Sequence, residues 1–380
     1  MNELRIFSKR IITPDGAVRG EAVLRGAVVL AVEPRAAASA GALDWDEDML
    51  APGLVDIHTD NFEKHYQPRP GALWDAYGAA LAHDGQCAAA GITTVFDSLS
   101  LHGGKDGLDR KEALAPMISA IDAARADDAL RADHLLHLRC EVTNPELLNL
   151  LEPYVDHPRL RLLSVMDHTP GQRQVANIEK MRERMLADGR SEAEIEQILD
   201  GGQAWRDPSA AGRHRRSVVG FAHEFGLPLA AHDDATVEHV EEAHADGCVI
   251  SEFPVTLEAA RVARGFGMQI VMGGPNFVRG RSHSGNLSAR DTAEAGLLDI
   301  VASDYVPLSM LRTAFLLMDD YGWTPQDAWA TVARNPARSV GLDDRGEIAP
   351  GQRADLVRVF RTPSGWPAPI EVWREGRRVA

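Results

Sequence analysis

Short apolar runs recur along the chain, each followed by polar or glycine-rich sequence and then a stretch with helical spacing of apolar positions. The runs are GLVDIH (53–58), ITTVFDS (92–98), HLLHLRCEV (134–142), RLLSVMD (161–167), LPLAAHD (227–233), CVISEFPV (248–255), QIVMGG (269–274) and DIVASD (299–304). Alternation of strand and helix predicts a parallel sheet. Eight such units over roughly 300 residues favour a closed (β/α)₈ barrel, the TIM-barrel α/β class, over an open sheet.

The ends read differently. AVLRGAVVLAVEP (22–34) predicts a hairpin turning at Gly26. RADLVRVF (353–360) and EVWREGRRVA (371–380), the latter turning at Glu375-Gly376, have the same character. Both termini are therefore expected to pair into a small β-sandwich domain, residues 1–50 with 345–380, beside a barrel over 51–344. Helix signals fit this phasing: a capping box at Ser191 and Glu194, an N-cap with Pro at N1 in Thr324-Pro325, and Gly322 ending a helix that begins near Ser309. The charged segment 171–216 exceeds a simple crossover and predicts a helical insertion after the fourth strand, above the barrel mouth.

At 380 residues, 44% apolar and 25% charged, the chain has enough apolar material for a large core. No apolar run reaches about 18 residues, so no spanning helix is expected. The N-terminal MNELRIFSKRIITPDG lacks the apolar region of a secretory signal. Cys87, Cys140 and Cys248 are odd in number and widely spaced, which offers neither a disulfide framework nor a metal knuckle and suits a cytoplasmic location. A formal net charge of −16, without a basic tract, argues against nucleic acid as a partner. It also means that an anionic substrate needs local arginine and lysine.

The chemistry is concentrated at strand ends. His58 and Asp60, Glu141, Asp167 and His168, His232, Glu252 and Asp304 close six of the eight runs. In a barrel these ends converge on one face, where active sites sit. Side-chain alternation lets His58 and Asp60 reach one ion. A mixed His/carboxylate set suits zinc, whereas a purely carboxylate set would suggest magnesium. Asp233 and Asp234 divide between supporting the centre and capping the next helix; His134 and His137 read as structural, His239 and His244 as helix surface. A basic set accompanies these: Lys64, His65 and Arg69 after the first strand, Arg173 after the fourth, and GGPNFVRGRSHSGN (273–286) after the seventh. This last is read as a glycine-rich loop whose backbone approaches the ligand closely, with Arg279, Arg281 and His283 as donors. A polyphosphate, unlike an amide, would need that much positive charge.

PGLVDIHTD (52–60), Asp304 on the eighth strand and the tail NPARSVGLDDRGEIAPGQRADLV (335–357) together resemble the amidohydrolase superfamily, over nearly the whole chain. HTDNFEKH (58–65), GITTVFDSL (91–99), RCEVTN (139–144), MDHTPGQRQ (166–174), SEFPVT (251–256) and the 273–286 segment look like the PhnM family of the bacterial carbon–phosphorus lyase pathway. That resemblance implies hydrolysis of α-D-ribose 1-methylphosphonate 5-triphosphate to the 5-phosphate and pyrophosphate. It implies one or two divalent ions, zinc first with manganese or iron as alternatives, held by His58, Asp60, Glu141, His168 and His232. Asp304 is the general base, and Lys64, His65, Arg69, Arg173, Arg279, Arg281 and His283 bind substrate. Three features depart from the superfamily pattern: strand one carries His58-Thr59-Asp60 instead of HxH, strand four has no lysine near its end, and strand six offers Glu252 where a histidine is common. Glu141 is the substitute for the missing lysine, and either His168 or Glu252 supplies the remaining ligand. The partner expected is thus an anionic small molecule, with no membrane, and a homo-oligomer is compatible with the sequence. The competing readings are an amidohydrolase acting on C–N bonds (a deaminase or deacetylase) and a non-enzymatic assembly protein on the same barrel.

Overall fold

The computed structural model describes residues 3–102, 108–169, 173, 178–187, 189–196, 199, 206–282 and 286–380. Five strands open the chain: β1 (Glu3–Thr13), β2 (Gly16–Arg25), β3 (Val28–Pro34), β4 (Leu43–Asp44) and β5 (Met49–Pro52). Eight more come in strand–helix alternation: β6 (Leu54–Thr59), β7 (Ile92–Ser100), β8 (Asp133–Glu141), β9 (Leu160–Met166), β10 (Leu229–His232), β11 (Ile250–Glu252), β12 (Gln269–Gly273) and β13 (Ile300–Ala302). The last three, β14 (Leu356–Arg361), β15 (Pro367–Arg374) and β16 (Arg377–Arg378), end the chain.

Strands β6 to β13 pair in chain order, all parallel. A parallel bridge between Thr59 and Asp304 joins the first strand to the end of the last, with Asp304 N donating to His58 O at 3.0 Å and Asp60 N to Asp304 O at 2.8 Å. The sheet is therefore a closed (β/α)₈ barrel, and each of the eight apolar runs supplies one of its strands. The interior is filled by Val55, Ile57, Phe96, Leu135, Leu162 and their neighbours, so it is packed rather than open. The larger core lies between the strands and the surrounding helices.

The termini form a second sheet in the order β16-β15-β14-β5-β1-β2-β3, with β4 beside β1. β2 and β3 turn at Gly26, and β15 and β16 turn at Glu375-Gly376, both of which have positive φ. The ends meet where β5 runs antiparallel to β14, with Leu356 opposite Pro52. Ile6, Leu24, Trp45, Leu50 and Leu356 form its core.

The local helix signals operate as read. Ser191 N donates to Glu194 Oε2 at 2.7 Å and Glu194 N to Ser191 Oγ at 3.3 Å. Thr324 caps the helix Pro325–Ala330, and Gly322, at φ 68°, ends the helix Ser309–Tyr321. The 171–216 segment lies only partly within the described residues, which include the helix Ile178–Ala187 and the start of the helix Ala211–Glu224. All three cysteines are free and buried. Among the described residues no helix is long and apolar enough to cross a membrane.

Candidate metal centre

A register shift between Asp56 and Thr59 in the β6–β7 ladder brings His58 to the barrel interior directly after Ile57. There it meets Glu252, at the end of β11. Glu252 is fully buried and accepts Nδ1–H bonds from two imidazoles, His58 at 2.6 Å and His232 at 2.7 Å. Those rings stack with centroids 5.6 Å apart. With each Nδ1 proton held by a carboxylate, the Nε2 lone pairs are directed away from Glu252. Burial opposes the Glu252 charge, yet the neighbouring histidines keep its pKa well below the ordinary carboxylate value.

Glu141 plays the same part for His168. Its Oε2 lies 2.9 Å from His168 Nδ1, while Oε1 accepts from Thr143 at 2.6 Å and Arg206 at 3.0 Å. Burial works against charge on His168, but Asp233 and Glu141 outweigh it and raise its pKa to about 9.

The outward-facing nitrogens converge. Asp233 Oδ2 lies 3.2 Å from His232 Nε2 and 3.4 Å from His168 Nε2. That oxygen is buried and has no hydrogen-bond partner. An orphaned carboxylate oxygen beside two ring nitrogens is an N,N,O donor set that a divalent ion would satisfy. A second group, His58, Asp60 and Asp304, likewise keeps its donor atoms within 4.8 Å of one another. Asp304 is pushed up to about 6, first by burial and then by the charge of Asp60. Between the groups lies Arg139, with Nη1 2.5 Å from Asp60 Oδ1 and Nη2 3.4 Å from His232 Nε2.

Backbone geometry shapes the mouth. Asp233, Phe253 and Asp304, each at or just beyond a strand end, have φ of 60°, 55° and 55°. Aspartate tolerates the left-handed region, but phenylalanine there is strained. The Phe253 ring packs edge-on against His58 and His232, with centroids 4.9 and 5.4 Å away.

The structure thus gathers His58, Asp60, His168, His232 and Asp304, and adds Asp233. Glu141, expected among the ligands, is saturated by His168, Thr143 and Arg206 and stands behind His168. Glu252 similarly stands behind two histidines. Asp234 pairs with Arg173, and it is Thr236 that caps the next helix.

The basic set divides. Lys64 Nζ donates to Tyr305 O at 2.5 Å and lies 4.9 Å above the Tyr305 ring, and Arg279 Nη1 reaches the Tyr305 hydroxyl at 3.4 Å. Arg69 and Arg281 are exposed. His65 turns to Gln86 at 2.9 Å. Arg173 does not serve the mouth: it is buried, held by Asp234 and by Glu242 at 3.3 Å. His283 lies outside the described residues. The expected glycine-rich loop begins instead as a short helix, Gly274–Arg279. Arg139 was missed, although it precedes Glu141 by two on the same strand and so shares its face.

A separate buried network lies outside the barrel wall. Asp97 accepts from His83 Nε2 at 2.8 Å and from His134 Nδ1 at 2.9 Å, and His134 Nε2 faces Asp84 at 3.3 Å. These atoms are spaced for hydrogen bonds, which fits the structural role read for His134.

Comparison with known proteins places the centre in a wider setting. The amidohydrolase family profile matches residues 49–379. The α-D-ribose 1-methylphosphonate 5-triphosphate diphosphatase of Escherichia coli (strain K12) is 44% identical over 345 residues, covering 89% of this chain and 90% of its own length. The imidazolonepropionase of Ruegeria sp. (strain TM1040) is 47% identical over 62 residues, 15% of either chain. Among solved structures, 5-methylcytosine deaminase from Klebsiella pneumoniae superposes with a TM-score of 0.65 at 15% identity, over 99% of this chain and 98% of that one. N-acetyl-D-glucosamine-6-phosphate deacetylase from Mycobacterium smegmatis gives 0.64 at 17% identity, over 99% and 100%. At those identities the superpositions speak for the fold alone. The profile spans most of the chain, and with the near full-length likeness to the E. coli enzyme it establishes that this chain belongs to the amidohydrolase family.

Proposed function

We propose that this chain is a metal-dependent hydrolase that converts α-D-ribose 1-methylphosphonate 5-triphosphate to the 5-phosphate, releasing pyrophosphate. The observation that carries this reading is the 44% identity extending over 89% of this chain and 90% of the E. coli diphosphatase. The rim supports it: Lys64 and Arg279 lean on Tyr305 beside the centre, with Arg69 and Arg281 exposed nearby in sequence to receive polyphosphate oxygens. They also answer how a chain of net charge −16 takes an anion.

His168, His232 and Asp233, with His58 and Asp60 beside them, are the residues that would hold one or two divalent ions, zinc by the chemistry of the set. When bound, the metal would supply Lewis-acid activation of water and neutralise developing charge. Glu252 and Glu141 keep the Nδ1 protons on His58, His232 and His168, which fixes the tautomers. Asp304 accepts the proton of the attacking water on its carboxylate as the water oxygen bonds to the α-phosphorus and the α–β bridging oxygen departs with pyrophosphate. Its burial beside Asp60 suits a base working near neutral pH. The free buried cysteines fit a cytoplasmic setting.

The test is pyrophosphate release from the ribose triphosphate by the purified protein, run beside a panel of amides. Pyrophosphate is the expected product, and Asp304→Asn should retain its metal while losing turnover by at least about 100-fold. Amide hydrolysis without pyrophosphate would overturn the assignment in favour of C–N chemistry, and undiminished turnover in Asp304→Asn would remove that residue from the base role.

A further inference from the structure

We infer that the chain binds a small phosphoryl anion, of the size of inorganic phosphate or pyrophosphate, in an arginine-lined cavity at the seam between the barrel and the terminal sheet. This cavity is at the opposite end of the barrel strands from the candidate metal centre, and the inference stands apart from any reading of the mouth.

The cavity measures about 250 Å³, far more than one water needs. It opens between the last turn of the helix Arg110–Ala126, the start of β8 and the β15–β16 turn. Arg125, Arg353, Arg374 and Arg377 line it, with Asp128, Asp133 and Glu375 among them. The floor is already committed. Arg353 holds Asp133 at 3.2 Å and Asp355 through Nε at 2.7 Å, and Asp133 is shared with Arg125, Arg159 and Arg345 as well. The walls are not committed. A guanidinium carries five N–H donors. Arg125 spends one on Asp133 at 3.1 Å, and Arg374 spends one on the Ala132 carbonyl at 2.7 Å. Among the described residues Arg377 makes no side-chain hydrogen bond, and its contact with Asp128 is 3.5 Å. The acidic wall is loose: Glu375 stands 3.9 Å from Arg353 and 4.0 Å from Arg374. The Glu375 and Asp128 side chains are 46% and 72% exposed, so water screens their charge, whereas Arg374 is only 13% exposed and is aimed by its bond to Ala132. The arginines gathered here, with Arg159 and Arg345, outnumber the carboxylates they meet, which are Asp128, Asp133, Asp344, Asp355 and Glu375. Unspent, forked donors on three sides of one polar cavity match the several oxygens of a phosphoryl anion, which can accept from Arg374, Arg377 and Arg125 together.

The experiment is isothermal titration of the full chain with inorganic phosphate and, separately, with pyrophosphate. It compares the unaltered protein with Arg377→Gln, Arg377→Lys, the double variant Arg374→Gln/Arg377→Gln, and Arg279→Gln, which removes a cation of the mouth instead. An anion site that survives in Arg279→Gln is expected, for at least one of the two anions. Arg377→Gln should weaken that site by about 10-fold, the double variant further, and Arg377→Lys, which keeps the charge, by less than Arg377→Gln. Affinity in Arg377→Gln equal to that of the unaltered protein would overturn the inference. So would binding that is lost in Arg279→Gln and kept in Arg377→Gln, which would put the anion at the mouth, and so would the absence of binding of either anion in the millimolar range. Should the double variant fail to fold, Arg377→Gln decides alone, since its guanidinium holds no other group by a hydrogen bond among the described residues.

Discussion

Imidazoles backed by carboxylates recur in two places. At the mouth His58, His168 and His232 each hold Nδ1 on a buried glutamate, and their Nε2 atoms turn to the rim, where Asp233 lies 3.2 Å from His232 and 3.4 Å from His168. His134 lies away from the mouth, between Asp97 at 2.9 Å and Asp84 at 3.3 Å. Burial disfavours its charge, but Asp97 and Asp84 prevail and carry its pKa to about 10. This folded value lies above the unfolded value of about 6.5. The linked stability is therefore fully present below that pH and is lost as pH rises through the folded value. Between pH 7 and 9 the unfolding free energy should fall by up to about 1.4 kcal/mol per pH unit more in the unaltered protein than in His134→Gln. Urea titrations at several pH values measure this, and parallel slopes would show that His134 is neutral in the fold. Of this network His134 was legible as structural, because it precedes the strand end, whereas His83, Asp84 and Asp97 carried no such signal. Arg139 was legible in principle from its two-residue offset to Glu141. The partition of carboxylates into those that face the centre and those that stand behind a histidine was not, since spacing gives the face of a strand but not which oxygen meets which nitrogen.

At the scale of elements, the apolar runs located all eight barrel strands because a strand buried on both sides leaves a short unbroken apolar signal. The segments that leave the strand ends were harder to read. The one after β12 looked like a loop whose glycines would admit a ligand, yet Gly274 starts a helix and is small for a different reason. A β-carbon there would lie 2.5 Å from Ser309 Oγ and 3.0 Å from the Ser309 backbone carbon. The close approach is between this helix and the helix Ser309–Tyr321. Arg173 misled for a related reason: its counter-charge, Asp234, comes from another strand end and could not be paired with it by sequence distance. Gly274→Ala should therefore cost about 1–3 kcal/mol of stability through overpacking. It should also raise KM for the triphosphate by displacing Arg279 at the helix end. Chemical unfolding together with steady-state kinetics tests this; a variant as stable as the parent would mean that the two helices have room to separate.

The whole molecule is tied together at the end of the barrel opposite the metal centre. Asp133 opens β8 and meets four guanidinium groups. Oδ1 faces Arg125 at 3.1 Å and Arg159 at 2.5 Å, and Oδ2 faces Arg345 at 2.9 Å and Arg353 at 3.2 Å. Arg345 and Arg353 come from the segment leading into β14, so one carboxylate of the barrel anchors the C-terminal strands and, through the β5–β14 pairing, the whole terminal sheet. Burial raises the cost of that charge, but the arginines dominate and hold the pKa far below the ordinary carboxylate value. Asp133 stays ionised at any pH the enzyme meets. Replacing it by asparagine keeps the shape and removes the charge, leaving arginines crowded together with only their remaining acidic neighbours. Breaking a largely buried pair in this way typically costs about 3–5 kcal/mol. Asp133→Asn should lose stability on that order in urea. Because the site is at the far end of the strands, kcat for the folded fraction should be unchanged. A loss below about 1 kcal/mol would assign the cohesion of barrel and terminal sheet to their apolar contact and backbone pairing instead, and a large fall in kcat would mean that the terminal sheet transmits strain along β8 to Arg139 and Glu141.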